Sequence, residues 1–366
     1  MRLIDSPEQS VGLGEIIRRE VLESPPEGRF VAVDTEFIRE NLESPLLCLV
    51  QLATPAENYV LDAVSLDLTF LKLIFEDDSI RKVFHSAEQD LEILLTYGFE
   101  IKNFYDVQLQ EMLLSPREKV SYQSIVFKYL GKRLKKGYSL SDWGKRPLSP
   151  EQLRYSAEDV IHLREVYEKQ VLELTHLGRL HWLEGDWNWL RKSKCEQAMF
   201  SHPRSEKSFS VFNQLMEWRS QKALEKNLHP EQIVRDETLR AICRRGMGFL
   251  QKMKNSRHRK SESLREFLLF AETIPDMEEI VEAPSERNTV LHLLKAVLET
   301  CSTRERIATS LLASTEELEQ LSAGNRDLKC LEGWRHDVFG KYALALLDGE
   351  MALRLRDSRV ELSWEA

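Results

Sequence analysis

The sequence predicts an α/β domain in its first part and an all-helical remainder. Two observations set that division. Between about Phe30 and Asp159, short apolar runs of strand length alternate with helical stretches, the pattern of a layered α/β sheet. From Val211 onward the chain reads as helical throughout.

Taken in order, the residues up to Gly28 form a polar lead-in with a helical stretch from Leu13 to Val21. Strands are expected at Phe30 to Val33, Leu46 to Leu52 and Asn58 to Leu61, the last two separated by the turn-like Ala53-Thr-Pro-Ala. Three strands without an intervening helix predict an antiparallel meander within a mixed sheet. Leu66 to Phe75 reads as a helix and Arg81 to Phe84 as a further strand. Ser86 and Gln89 have capping-box spacing, so the next helix is expected to begin at Ser86, with Leu91, Leu94 and Leu95 as its apolar stripe. Asp90 then falls near the helix start, where the helix dipole alone is a sufficient reason for an acid. His85, just before the cap, is equally consistent with a structural role. Ser149, Pro150 and Gln152 supply an N-cap, a first-turn proline and a capping-box partner for another helix. On that helix Tyr155 and Asp159, four apart, share a face that His162 continues.

Size and composition narrow the function. A chain of 366 residues implies two or three domains. With 42% hydrophobic and 30% charged residues it has the balance of a soluble globular protein, and no apolar run approaches the length of a membrane span. The start, Met1-Arg-Leu-Ile-Asp-Ser-Pro, lacks the apolar core of a secretion signal. Five scattered cysteines without metal-type spacing argue for a reducing, cytoplasmic setting and against zinc. A formal charge of −9 would repel a polyanion on average, so a nucleic-acid binder of this composition has to concentrate its positive charge locally. Such a concentration runs from Lys128 to Arg146, where Lys128, Lys132, Arg133, Lys135, Lys136, Lys145 and Arg146 are interleaved with Tyr129, Tyr138 and Trp143. Basic groups among aromatic rings can track phosphates and stack on unpaired bases, although a solvated lysine-rich loop would have the same composition.

The chemistry-bearing stretch is Val31-Ala-Val-Asp34-Thr-Glu36-Phe37. Residues two apart on a strand share a face, so Asp34 and Glu36 point the same way where an apolar strand ends. Two unpaired anions there repel, and a hard divalent cation removes that penalty. A strand running into a polar loop would give the same residues, so this motif alone leaves both readings open.

Together these segments are similar to the tyrosine-containing branch of the four-acid 3′–5′ exonucleases, and in particular to the ribonuclease D family. The likeness rests on Asp34-Thr-Glu36-Phe37 with Arg39-Glu40, on His85…Asp90-Leu-Glu, on Asp142-Trp143…Arg146-Pro147-Leu148, and on Tyr155-x-x-x-Asp159, in family order across residues 28 to 170. The resemblance implies a ribonuclease H-like mixed sheet flanked by helices. It implies that Asp34, Glu36, Asp90 and Asp159 hold two divalent ions, Mg²⁺ or Mn²⁺, while Tyr155 orients the attacking water. A sister branch has histidine at that position. It further implies an RNA substrate with a free 3′ end, such as a transfer-RNA precursor, contacted by Phe37, His85, Lys135, Lys136, Trp143 and Arg146. No membrane and no obligate protein partner is expected. A proofreading-type DNA exonuclease or a catalytically silent RNA-binding protein are the competing readings.

The second half extends the resemblance. The tryptophan-rich stretch from Val171 to Arg191 is expected to pack one domain on another, and Phe200 to Lys207 to be a linker. Val211 to Arg219 and Ile233 to Ile242 resemble the helicase-and-ribonuclease-D C-terminal (HRDC) domain, followed by a second basic concentration from Arg244 to Lys260. Ile307 to Glu319 and Gly333-Trp334-Arg335 resemble a second such domain. The expected division is therefore 1–190 for the exonuclease domain, 205–282 for the first HRDC-like domain and 286–366 for the second, both small and all-α.

Overall fold

In the computed structural model the described residues are 1–38, 45–134, 141–184, 206–226, 228, 230–255, 262–275, 286–357 and 359–364. The chain divides into two compact units. The first comprises Met1–Ile38, Leu47–Arg191 and Glu286–Ala366, and the second Lys192–Ser285 together with Arg39–Leu46.

The first unit is built on a mixed sheet of β1 (Arg2–Ile4), β2 (Phe30–Ile38), β3 (Leu46–Ala53), β4 (Asn58–Asp62), β5 (Arg81–Phe84) and β6 (Phe104–Asp106), in the order β1-β4-β3-β2-β5-β6. β3 and β4 are antiparallel, with Val50 opposite Leu61. β1 runs parallel to β4, and β5 runs parallel to both β2 and β6. The antiparallel β3–β4 pair of the predicted meander is thus one part of a larger sheet. The lead-in contributes a strand that its polar composition hid, because only Ile4 of β1 is buried.

Helices cover both faces. α1 (Leu13–Leu22), α2 (Glu88–Thr96) and the turn of helix at Lys72–Phe75 pack on one face, where Val31 and Val33 of β2 join Ile17, Phe75, Ile93 and Leu94. On the other face lie α3 (Val107–Glu111), α4 (Tyr122–Leu130) and the long α5 (Pro150–His176). There Phe30 and Ala32 of β2 meet Val160, Leu163 and Val166 of α5. Alternation along β2 therefore splits the strand cleanly between two cores. α5 starts as expected: the Gln152 backbone N–H donates to Ser149 Oγ at 3.1 Å, and the Ser149 backbone N–H donates to Gln152 Oε1 at 3.0 Å.

α2 starts differently from the expectation. Ser86 has a left-handed φ of 61° and its side chain caps nothing; the helix begins at Glu88. The cap comes from far away in sequence, because the Ser86 and Ala87 N–H groups donate to the Asp106 carboxylate at 3.0 and 2.8 Å.

In the second unit, α6 (Glu206–Lys226), α7 (Asp236–Asn255, kinked at Gly246) and α8 (Glu262–Glu272) enclose a core of Val211, Leu215, Leu239, Ile242 and Phe267. Trp218 stacks on Phe270 with centroids 5.6 Å apart.

The region from Glu286 onward departs from the expected free-standing all-α domain. It supplies α9 (Glu286–Glu305), α10 (Thr315–Ser322) and α11 (Lys341–Leu347), then closes with a β-hairpin, β7 (Met351–Arg356) and β8 (Arg359–Trp364). The hairpin has a physical basis in period-two alternation. Met351, Leu353 and Leu355 lie opposite Trp364, Leu362 and Val360 on one face, with Ala352 opposite Ser363 and Arg354 opposite Glu361 between them. Its residues share one hydrophobic core with the exonuclease part, Leu294, Cys301 and Phe339 joining Tyr105, Leu174 and Leu183. Trp182 stacks on Trp334 at 4.6 Å, and the Trp334 indole N–H donates to the Trp182 carbonyl. The tryptophan-rich stretch, expected to pack one domain on another, packs at Trp182 within the first unit; the helix itself ends at His176, and Trp187 and Trp189 lie outside the described residues.

Candidate active site

The split along β2 determines which way each functional side chain faces. Asp34 and Glu36 have the parity of Phe30 and Ala32, so they extend the face covered by α5. Asp159 lies one residue before Val160, a core residue of that helix. The carboxylate oxygens of Asp34, Glu36 and Asp159 lie within 4.8 Å of one another, and all three groups are half-buried. The sequence named these three, and the fold brings them together.

Their electrostatics follow from that crowding. Burial, then the charge of Asp159, holds the Asp34 carboxyl well above the usual range. Glu36 is pushed up to about 10 by burial and by Asp34, Asp159 and Asp90. Asp159 is pushed up to about 7 by burial, then by Glu158 and Asp90. Three oxygen-donor groups that cannot all ionise comfortably in isolation form a donor set suited to a hard divalent cation.

Asp90 stands slightly apart. It is only 7% exposed, which corrects the expectation of a surface acid serving the helix dipole. Its Oδ1 accepts a 2.5 Å hydrogen bond from Thr35 Oγ1. Burial, followed by the charge of Asp34, raises its pKa, so it belongs to the same electrostatic cluster.

Tyr155 is half-buried one helical turn before Asp159, with its ring 6.1 Å from that of Trp143. Burial and the charges of Asp159, Glu36 and Asp34 raise its pKa, so the phenol keeps its proton at neutral pH and has an O–H to donate. Tyr122, which sequence reasoning missed, is buried 5.5 Å from the His85 ring and feels the charges of Asp159 and Asp34. Nothing in its local sequence marks it, since its nearness to the acids is a product of packing.

The expected RNA contacts fare unevenly. Trp143 is 1% exposed, among Cys48, Leu49, Val60 and Ala157, so it buttresses the site and cannot stack on a base. Arg146 is likewise structural. Its Nε and Nη2 donate to the buried Asp62 carboxylate at 2.6 and 2.5 Å, and Nη1 donates to the Trp143 carbonyl at 2.7 Å. Lys135 and Lys136 lie outside the described residues. Phe37 is half-buried against the core, and the His85 Nε2 lies 3.0 Å from the Val120 carbonyl oxygen. The basic stretch is also thinner than its composition suggests: Lys128 pairs with Glu111 at 2.8 Å and Lys132 with Glu165 at 3.3 Å. In the second unit Lys254 pairs with Glu272 at 2.6 Å.

Comparison with known proteins agrees with this layout. A family model described as 3′-5′ exonuclease matches residues 10–175, and the HRDC domain model matches residues 208–267. The chain is 32% identical to Ribonuclease D of Gluconacetobacter diazotrophicus, covering 98% of this chain and 96% of that protein. It is also 32% identical to Ribonuclease D of Acidiphilium cryptum, covering 91% of each. Among solved structures, RNase D of Escherichia coli aligns with a TM-score of 0.65 at 24% identity, covering 95% of this chain and 98% of that one, and so shares the fold. With such identity sustained along nearly its whole length, the chain belongs to the ribonuclease D family.

Proposed function

We propose that this 3′–5′ exoribonuclease works with two divalent ions, Mg²⁺ or Mn²⁺, held by Asp34, Glu36, Asp90 and Asp159, and releases nucleoside 5′-monophosphates. The observation carrying the proposal is the meeting of three carboxylates within 4.8 Å at the end of β2. When bound, such ions make water acidic near neutral pH and offset negative charge on a phosphodiester. The protein's own residues do the rest. Asp34, Glu36 and Asp159 fix the donor oxygens on two rigid elements. Tyr155, kept protonated, orients a water by donating to it and does not remove its proton, since a phenol with a raised pKa is a poor base. Trp143 holds the Tyr155 side of the site against the core.

The proposed substrates are RNAs with free 3′ ends, including transfer-RNA precursors, and the proposed setting is the cytoplasm. The four described cysteines are free, which suits that setting; separately, no described helix is long and apolar enough to cross a membrane. Residues 205–282 form the proposed HRDC-like unit, and 286–366 a second HRDC-like segment that completes the core of the exonuclease unit. Phe37 and His85 remain the proposed RNA contacts.

The test is cleavage of a 3′-extended RNA, read at single-nucleotide resolution with and without a chelator, beside a DNA oligonucleotide of the same sequence. Stepwise shortening of RNA only with Mg²⁺ or Mn²⁺ is the expected result. Cleavage that persists in chelator removes the metal reading, and equal cleavage of DNA removes the preference for RNA.

A further inference from the structure

The carboxylates of Asp34, Glu36 and Asp159 meet directly, but Asp90 comes from the opposite face of the sheet, so its aim depends on how α2 is anchored. Two buried side chains anchor it. Thr35 has the parity of Val31 and Val33 and therefore faces α2, not α5. It is 6% exposed, and its hydroxyl donates to Asp90 Oδ1 at 2.5 Å, a short bond between two buried side chains.

The second anchor is Asp106, at the end of β6 and 2% exposed. Its Oδ2 accepts the Ala87 N–H at 2.8 Å, and its Oδ1 accepts the Ser86 N–H at 3.0 Å. The same Oδ1 takes the Gln108 and Leu109 N–H groups that open α3, at 2.8 and 3.4 Å. One carboxylate thus collects the unpaired donors at the start of two helices, and one of those helices carries Asp90 within its first turn. It also holds Ser86 in a left-handed conformation that costs a non-glycine residue about 1 kcal/mol. Local capping of α2 would not require an acid from a neighbouring strand, whereas fixing the direction of α2 relative to the sheet does.

We propose that Thr35 and Asp106 are positioning residues that hold Asp90 at the metal site, one by gripping its carboxylate and the other by fixing the helix that bears it. This inference rests on the reading of the acids as metal ligands. Partners of this kind around a metal site typically change affinity by about 10- to 100-fold when removed.

The experiment uses the full-length protein with Mn²⁺ as probe, titrated by calorimetry in the absence of RNA, and single-turnover cleavage followed across Mn²⁺ concentrations. The variants are Thr35→Val, which keeps the shape and loses the hydroxyl, Thr35→Ser, which keeps the hydroxyl, and Asp106→Asn. Thr35→Val and Asp106→Asn are expected to weaken Mn²⁺ binding by about 10-fold or more. Their cleavage curves should shift to higher Mn²⁺ while KM for RNA stays put, and Thr35→Ser should restore binding close to wild type. If Thr35→Val and Asp106→Asn lower the melting temperature but bind Mn²⁺ as wild type does, the two residues only stabilise the fold and the inference fails. Should Asp106→Asn not fold, the contrast between Thr35→Val and Thr35→Ser decides. Failure of the underlying reading looks different: wild type and Asp34→Asn would then take up Mn²⁺ equally poorly, and both proposals would fall.

Discussion

Asp34 on β2 and Asp159 on α5 bring their carboxylate oxygens to within 4.8 Å of each other, although the first lies on a strand and the second deep in a helix distant in sequence. Their mutual repulsion is a cost the fold bears in order to present converging oxygen donors.

Removing either acid should therefore separate chemistry from folding. Asp34→Asn and Asp159→Ala are expected to abolish cleavage while leaving RNA binding and the circular dichroism spectrum in place. In chelator and at high pH, where the neighbouring acids ionise, Asp34→Asn should melt no lower than wild type, because it relieves repulsion. Wild-type cleavage rates in either one would remove the acids from the site.

The pH dependence of the metal-free protein follows from the same crowding. Glu36 is raised from 4.5 to about 10 and Asp159 from 3.8 to about 7, in both cases chiefly by burial. The folded chain thus retains protons that the unfolded chain has released. This contribution is most favourable in acid, below the ordinary carboxylate values, and is lost as pH rises from about 4 towards about 10. In chelator, the melting temperature of Glu36→Gln relative to wild type should climb steadily with pH. Mn²⁺ at about 100 times its dissociation constant should add roughly 2.7 kcal/mol to wild type by mass action, most visibly at high pH. A difference between the two proteins that stays flat with pH would contradict the assignment of Glu36.

Tyr155→Phe keeps the ring against Trp143 and removes only the hydroxyl. Single-turnover cleavage is expected to slow by about 10²-fold, in the range of positioned proton-handling groups, with KM for RNA unchanged. An unaltered rate constant would take Tyr155 out of the mechanism.

Arg146→Ala should act on stability. The buried Asp62 carboxylate would lose its bidentate partner, which costs about 3 kcal/mol when one member of such a pair is deleted. Urea unfolding measures that loss. The salt dependence of RNA binding should keep its wild-type slope, whereas a shallower slope would return Arg146 to the phosphate-contacting surface.

Trp334→Ala removes a half-buried ring stacked on Trp182 and should cost on the order of 2 kcal/mol, less than for a fully buried tryptophan. Calorimetric unfolding would show the lower midpoint in the transition of the exonuclease unit; an unchanged transition would mean that the stack is incidental.

How far these features were legible in the sequence depends on the range of the interactions behind them. Asp34 and Glu36 could be read because strand alternation is local, and the α5 start because Ser149, Pro150 and Gln152 lie within one turn. The role of Asp106 could not be read, because a carboxylate on β6 replaces the local cap that Ser86 and Gln89 suggested for α2. Trp143 and Arg146 looked like an RNA-binding pair by composition. Composition says nothing about burial, and the fold uses one as core and the other to neutralise Asp62. β1 and β6 are three residues each, too short to show a period. Thr35 stood in plain view between the two acids, but only a helix arriving from the other face gives its hydroxyl a purpose.

The shared core of the first unit also has a consequence for the order of synthesis. Tyr105, Leu174 and Leu183 pack in one cluster with Leu294, Cys301 and Phe339, yet a whole second unit is translated between the two groups. A ribosome making this chain releases Asp34, Glu36, Asp90 and Asp159 well before the segment that shares their core. Part of the core beneath the acids therefore has to wait for residues translated after the whole second unit.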